Sequence, residues 1–246
     1  MSLPMTIPPI VLTRPAGRGE DLVDALRGKG YPVQVIPLLR LSPLPLPDLR
    51  SQPAPDQLIF ISPSAVEFSL SVIPEHWWQA GLFAVGRGTA QVLPALVRSK
   101  AMLPMPETSE GLLELDALQA VQGQSIVIVR GQGGREHLAN TLRQRGAEVR
   151  YLEVYERLGP EPEQLANLRQ ALQRPAILVV TSGEALAKLC AIIAGPVLKA
   201  CTLIVVSERL AEMAAPYCPQ VVNARGADTD SLRLAIDRVL KQRQGK

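Results

Sequence analysis

Very little in this chain lends itself to acid–base, metal or redox chemistry. Its 246 residues include only two histidines, His76 and His137. Neither stands at metal-ligand spacing from a second histidine, a cysteine or a carboxylate. The three cysteines, Cys190, Cys201 and Cys218, are odd in number and form no Cys-x-x-Cys pair. That pattern belongs to reduced, packed thiols, and a cytoplasmic protein is expected. No Gly-x-Ser-x-Gly turn is present, so a serine triad lacks support. Three Phe and four Tyr are too few for a base-stacking platform, and a net charge of +3 is far below a nucleic-acid footprint. No apolar run approaches the ~18 residues of a membrane-spanning helix, and no basic stretch with an apolar run marks a signal peptide. Hydrophobic residues at 47% and charged residues at 20% fit a globular protein with ample core.

The glycine motifs are incomplete. Gly131-Gln-Gly-Gly-Arg-Glu136 places Glu136 where a dinucleotide loop needs its third glycine, and Gly86-Arg-Gly-Thr-Ala-Gln91 fails in the same way. A Gly-Lys-Ser/Thr phosphate loop is absent. A nucleotide-dependent enzyme is therefore the weakest of the available readings.

What the chain does have is a second copy of itself. Ile10-Val-Leu-Thr-Arg-Pro-Ala-Gly-Arg-Gly-Glu-Asp-Leu22 returns as Ile126-Val-Ile-Val-Arg-Gly-Gln-Gly-Gly-Arg-Glu-His-Leu138. Arg14/Arg130, Gly17/Gly133, Glu20/Glu136, Leu26/Leu142, Gly30/Gly146 and Val33/Val149 keep one constant offset. Phe60-Ile-Ser-Pro-Ser-Ala-Val66 answers Val180-Thr-Ser-Gly-Glu-Ala-Leu186, and Ser109-Glu-Gly-Leu112 answers Thr229-Asp-Ser-Leu232. The period is domain-sized, too long for a solenoid. Two similar halves imply a cleft between them, where small ligands bind.

Each copy reads as strand, glycine turn, helix and strand: Ile10–Thr13, Gly19–Gly28 and Val33–Leu39, then Ile126–Val129, Glu136–Arg145 and Val149–Tyr155. Later strands at Leu58–Ile61, Leu82–Val85, Ile177–Thr181 and Leu203–Val206 each run into a helix. Apolar strands alternating with amphipathic helices predict an α/β protein with two doubly wound parallel sheets. Proline clusters at Leu41–Pro55 and Gly159–Pro162 follow equivalent strands and suit chain crossings or plain surface loops.

Ser62, Ser64, Gly86, Thr89, Ser109, Ser182, Ser207 and Arg209 stand where strands hand over to helices, and Arg14, Gly131 and Gly183 lie in the matching turns. Helix capping accounts for such hydroxyls. Anion binding does too, because helix N-termini offer free N–H groups outside the carboxyl ends of parallel strands. A cleft rich in donors and poor in acids and bases suits a polycarboxylate. A non-catalytic, hinge-closing binder of a small anionic ligand fits these residues as well as an enzyme does.

At Leu12-Thr-Arg-Pro15, Phe60–Val66, Ala84-Val-Gly-Arg-Gly-Thr-Ala90, Ser109–Leu112, Val154-Tyr-Glu-Arg157 and Thr181-Ser-Gly183 the chain resembles the uroporphyrinogen-III synthases. The resemblance implies two α/β domains joined by crossing connectors, one from about 1–38 plus 161–246 and the other from about 39–160. It also implies a reaction, the cyclisation of hydroxymethylbilane with inversion of ring D and loss of water. Uncatalysed closure gives the uninverted type I isomer instead. By the same resemblance Tyr155 is the acid or hydrogen-bond donor for hydroxyl loss, although a packed tyrosine, opposite Leu39 in the repeat, is the other reading. Ser62 and Thr89, and Ser182 in the other domain, match hydroxyl positions facing the cleft, and Arg209 replaces a residue that is often threonine. No metal or organic cofactor is implied. The expected partner is a linear tetrapyrrole handed over by hydroxymethylbilane synthase to a cytoplasmic monomer, with no role for nucleic acid or membrane.

Overall fold

In the computed structural model the described residues are 7–15 and 19–244, so the turn around Gly17 lies outside them. The chain divides into two units, Met1–Arg40 with Leu158–Lys246 and Leu41–Arg157.

The first repeat opens with β1 (Ile10–Leu12), α1 (Glu20–Arg27) and β2 (Val33–Val35). Helix α1 starts after Gly19, whose φ of 85° is one that L side chains rarely adopt. Glu20 and Asp21 then sit at its positive end. Leu22 and Leu26, one turn apart, form its buried stripe. The strand expected to reach Leu39 stops at Val35. Beyond it the Ile36 N–H still donates to the Leu12 carbonyl at 2.9 Å and the Leu38 N–H to the Thr13 carbonyl at 3.3 Å, so the segment stays beside β1 without regular ladder pairing. Residues Arg40–Pro43 form β3 in the second sheet, so the first proline cluster begins as a strand and not as a linker.

Next come β4 (Gln57–Phe60), α2 (Pro63–Ser69), β5 (Gly81–Ala84), α3 (Arg87–Gln91), α4 (Ala95–Arg98) and α5 (Ser109–Leu113). The second repeat supplies β6 (Ser125–Gly131), α6 (His137–Gln144) and the long β7 (Glu148–Leu158). Helix α7 (Pro162–Ala171) takes Pro162 from the second proline cluster as its first residue, where a missing N–H costs nothing. The Glu161 N–H donates to Gln164 Oε1 at 3.0 Å. The chain ends with β8 (Ile177–Val180), α8 (Gly183–Ile192), α9 (Gly195–Lys199), β9 (Thr202–Val205), α10 (Glu208–Ala214), β10 (Val221–Asn223) and α11 (Thr229–Gln244).

The first unit holds a sheet of order β10-β9-β8-β1-β2, parallel throughout. The second unit's sheet runs β3-β7-β6-β4-β5, with β7, β6, β4 and β5 mutually parallel. Each sheet draws on both repeats. The opening β-α-β of one copy joins the later strands of the other, β1 and β2 with β8 to β10, and β6 and β7 with β4 and β5.

Alternating strand residues fill two cores per unit. In the second, Leu58, Phe60, Val127 and Val129 pack under α2, while Ile59, Ile126 and Ile128 pack under α6. In the first, Val11, Leu178 and Val180 face α7, α8 and α10, whereas Ile10, Leu12, Ile177 and Val179 face α1 and α11. Both faces of each sheet are therefore covered by helices, which is why the strands read as unbroken apolar runs.

Candidate functional site

In an open parallel sheet the ligand crevice lies beyond the carboxyl ends of the strands, where two neighbouring strands send their helices to opposite faces. In the second unit those neighbours are β4 and β6, since α2 and α6 cover different faces. Ser62 stands two residues beyond β4, Gly131 ends β6, and Tyr155 lies beside Gly131 on β7.

The three residues are in contact. The pairing of β6 with β7 shifts register after Arg130, so that Arg130 stands opposite Glu153 and Gly131 opposite Tyr155. This irregularity brings the Tyr155 ring over the Gly131 backbone: a Cβ at Gly131 would lie 2.4 Å from Tyr155 Cε2. The Gln132 N–H donates to the Tyr155 carbonyl at 2.7 Å. The side chain is 3% exposed, its ring 5.4 Å from that of Phe68. Its Oη lies 3.3 Å from Ser62 Oγ and accepts from Arg157 Nη2 at 3.1 Å.

Ser62 also caps α2, its Oγ accepting the Ala65 N–H at 3.0 Å. Ser64 and Thr89 are buried. Thr89 lies inside α3, whose N-cap is Gly86. Glu107 covers that end: the Arg87 N–H donates to Glu107 Oε2 at 2.9 Å, and a Cβ on Gly86 would meet the same oxygen at 2.4 Å. At α5 the hydroxyl that caps the helix belongs to Thr108 and not to Ser109. Thr108 Oγ1 accepts the Gly111 N–H at 3.0 Å, and Ser109 is the first helical residue.

Arg130 was visible in the sequence only as the repeat partner of Arg14. It is buried, with Nη1 3.1 Å from Glu136 and Nε 3.3 Å from Glu153, and its guanidinium lies 4.0 Å over the Tyr151 ring. Tyr151 donates to Glu136 Oε2 at 2.6 Å. That hydrogen bond, with Arg130 nearby, holds the Glu136 carboxyl below its ordinary range. Burial, then Glu136, pushes the Tyr151 phenol up. The Gly133 N–H donates to Glu153 at 3.1 Å, which ties the loop after β6 to the same cluster.

In the first unit the corresponding neighbours are β1 and β8. Arg14 follows β1, half-buried, donating from Nη2 to the Ala227 carbonyl. Burial lowers its pKa and Asp228 opposes that shift. Ser182 caps α8, accepting the Ala185 N–H at 3.1 Å. Ser207 caps α10 more loosely, with the Leu210 N–H at 3.4 Å. A Cβ at Gly183 would make only ordinary contacts, to Met213, Leu210 and Arg209. Arg209 is exposed and reaches the Met213 sulfur at 3.7 Å.

Among the described residues no cluster of His, Cys, Asp and Glu is arranged to hold a metal ion. Burial raises the thiols of Cys190, Cys201 and Cys218. No helix among the described residues is long and apolar enough to cross a membrane. An open depression of about 710 Å³ lies by Pro9, Gln34, Asn167 and Arg174, and none of the candidate residues lines it. The chemistry available at the second unit's switch point is that of a buried phenol. Its oxygen is held by a cation, beside a serine that caps a helix start.

A family model described as uroporphyrinogen-III synthase HemD matches residues 20–232. The uroporphyrinogen-III synthase of Escherichia coli (strain K12) is 37% identical over 92% of this chain and 99% of its own length. That of Salmonella typhimurium is 36% identical over the same shares. A crystal structure of uroporphyrinogen-III synthetase from Helicobacter pylori has the same fold, with a TM-score of 0.66 at 17% identity over 94% of this chain and 99% of that one.

Proposed function

The chain belongs to the uroporphyrinogen-III synthase family, and from that premise we propose that Tyr155 delivers the proton that starts the cyclisation of hydroxymethylbilane. The activity is that of a cyclising lyase of tetrapyrrole biosynthesis. The observation that carries the Tyr155 reading is its hydroxyl: buried, at the carboxyl-end switch point, and within hydrogen-bond reach of Ser62 and Arg157.

The phenol proton passes to the terminal hydroxyl of the linear tetrapyrrole. The C–O electron pair leaves with that oxygen as water, and the pyrrole nitrogen lone pair stabilises the azafulvenium left behind. The substituted carbon of ring D attacks this electrophile to give a spiro intermediate. Fragmentation and reclosure then invert the ring, and the proton released on rearomatisation returns to Tyr155. Atoms and electrons balance without an oxidant or reductant. Because the uncatalysed substrate closes to type I, catalysis consists largely of holding it in the productive fold.

In this reading Ser62, Ser64, Gly86, Thr89, Ser109 and Gly131 of one unit contact the substrate, as do Arg14, Ser182, Gly183, Ser207 and Arg209 of the other. Backbone N–H groups at the capped helix starts and the arginines suit its carboxylates. The protein acts as a cytoplasmic monomer and takes its substrate from hydroxymethylbilane synthase. The reversible-binder alternative finds no support among the relatives. Tyr155→Phe removes one oxygen and leaves the ring packing intact. It should slow type III formation at least ten-fold, a barrier change of about 1.4 kcal/mol. Wild-type kinetics from folded variant protein would take Tyr155 out of the mechanism.

A further inference from the structure

We propose that Arg157 is a positioning residue that sets the direction in which the Tyr155 hydroxyl gives its proton; this rests on the reading of Tyr155 as proton donor. Arg157 lies two residues beyond Tyr155 on β7, so the alternation of a strand puts both side chains on one face of the sheet. Its Nη2 donates to Tyr155 Oη at 3.1 Å, and its guanidinium carbon is 5.2 Å from the centroid of the same ring. Its Nη1 reaches the Gln132 carbonyl at 3.4 Å, while the Gln132 N–H holds the Tyr155 carbonyl at 2.7 Å. Arg157, Gln132 and Tyr155 thus close a ring of hydrogen bonds that fixes the phenol at both its backbone and its oxygen.

The chemistry follows from what a guanidinium lacks. It has five donors and no acceptor, so in this contact Tyr155 Oη is the acceptor. The phenolic hydrogen therefore points away from Arg157, and Ser62 Oγ at 3.3 Å is the neighbouring hydroxyl, with either oxygen able to donate. That contact is long for a pair of hydroxyls, and Ser62 Oγ already accepts the Ala65 N–H at 3.0 Å. A substrate hydroxyl arriving at Tyr155 has only this weak partner to displace. As the proton leaves, negative charge builds on Oη beside the guanidinium, and a preorganised cation favours that charge in the transition state more than in the ground state. A charge-assisted hydrogen bond is roughly twice as strong as a neutral one, so the effect is large enough to see in kcat.

The test is a double-mutant cycle on the full chain with hydroxymethylbilane as substrate. It compares wild type, Arg157→Ala, Tyr155→Phe and the double variant, with Arg157→Lys alongside. Arg157→Ala should lower kcat about ten-fold with KM changed less than two-fold. The double variant should be no slower than Tyr155→Phe alone, because without the hydroxyl Arg157 has nothing to direct. Arg157→Lys keeps a charge and a donor and should recover part of the loss. Independent ten-fold losses that multiply in the double variant would overturn the proposal, as would a loss confined to KM, which would make Arg157 a holder of substrate carboxylate. If Tyr155→Phe alone matches wild type, the proton-donor reading itself fails, a result distinct from multiplying losses.

Discussion

Gly131→Ala adds a single methyl group, and the structure says where it goes. Gly131 has no left-handed φ, so alanine brings no backbone strain and its effect is steric alone. The new Cβ would lie 2.4 Å from Tyr155 Cε2, 2.5 Å from Cζ and 2.9 Å from Oη. Carbon atoms in contact sit about 3.5–4.0 Å apart. The ring must therefore retreat by about 1 Å. It cannot swing into water freely, being 3% exposed and packed beside Phe68. Displacing a reacting group by about 1 Å costs roughly 100-fold in rate, about 2.7 kcal/mol of barrier. Overpacking of this kind also costs about 1–3 kcal/mol of stability. Urea denaturation and the rate of type III formation measure both effects. The same methyl introduced into Tyr155→Ala meets no ring, so there its stability cost should fall to within about 0.5 kcal/mol of zero. A wild-type rate for Gly131→Ala, or an undiminished stability cost in the Tyr155→Ala background, would refute the argument.

Arg130→Met leaves Glu136 and Glu153 without their shared cation. Because both carboxylates are partly exposed, the loss should be about 2 kcal/mol by urea denaturation, below that of a fully buried pair. Thr108→Ala should cost about 1 kcal/mol by the same measurement through the lost α5 cap, while Ser109→Ala should change stability by less than about 0.5 kcal/mol. The Tyr151–Glu136 pair also makes a pH signature. Tyr151 is raised in the folded protein, so its contribution is complete below the ordinary 10.0 and lost as pH rises through the higher folded value. Glu136 is lowered, so its contribution is complete above the ordinary 4.5 and lost as pH falls through the lower folded value. Denaturation midpoints across pH should decline at both ends, and Tyr151→Phe should shrink both declines.

The repeat made the architecture readable, because matched apolar strands and glycine stops encode the same β-α-β unit twice. It misled where the copies differ locally. Val33 and Val149 hold matching places in equivalent strands, yet β2 ends at Val35 and β7 runs from Glu148 on to Leu158. The first copy lies at a sheet edge with β1 as its one neighbour and keeps only single bonds past Val35, whereas β7 is paired on both sides, by β3 and β6. The strand handovers picked out Ser62, Ser182 and Ser207, because a cap is a local event written in three or four residues. Pairings between distant strands left no such trace. The meeting of Gly131 with Tyr155 depends on a register shift after Arg130, which neither segment shows by itself. Arg14 and Arg130 read alike in sequence, and only tertiary packing separates a buried cation between two glutamates from one that reaches the Ala227 carbonyl.

The most direct measurement is an isomer assay on the wild-type chain. Hydroxymethylbilane is generated in situ from porphobilinogen with a deaminase, this protein is added, and the oxidised porphyrins are separated. Predominantly type III product is the predicted result. Type I alone, from protein shown to be folded, would contradict the assigned activity and with it every role given to Tyr155.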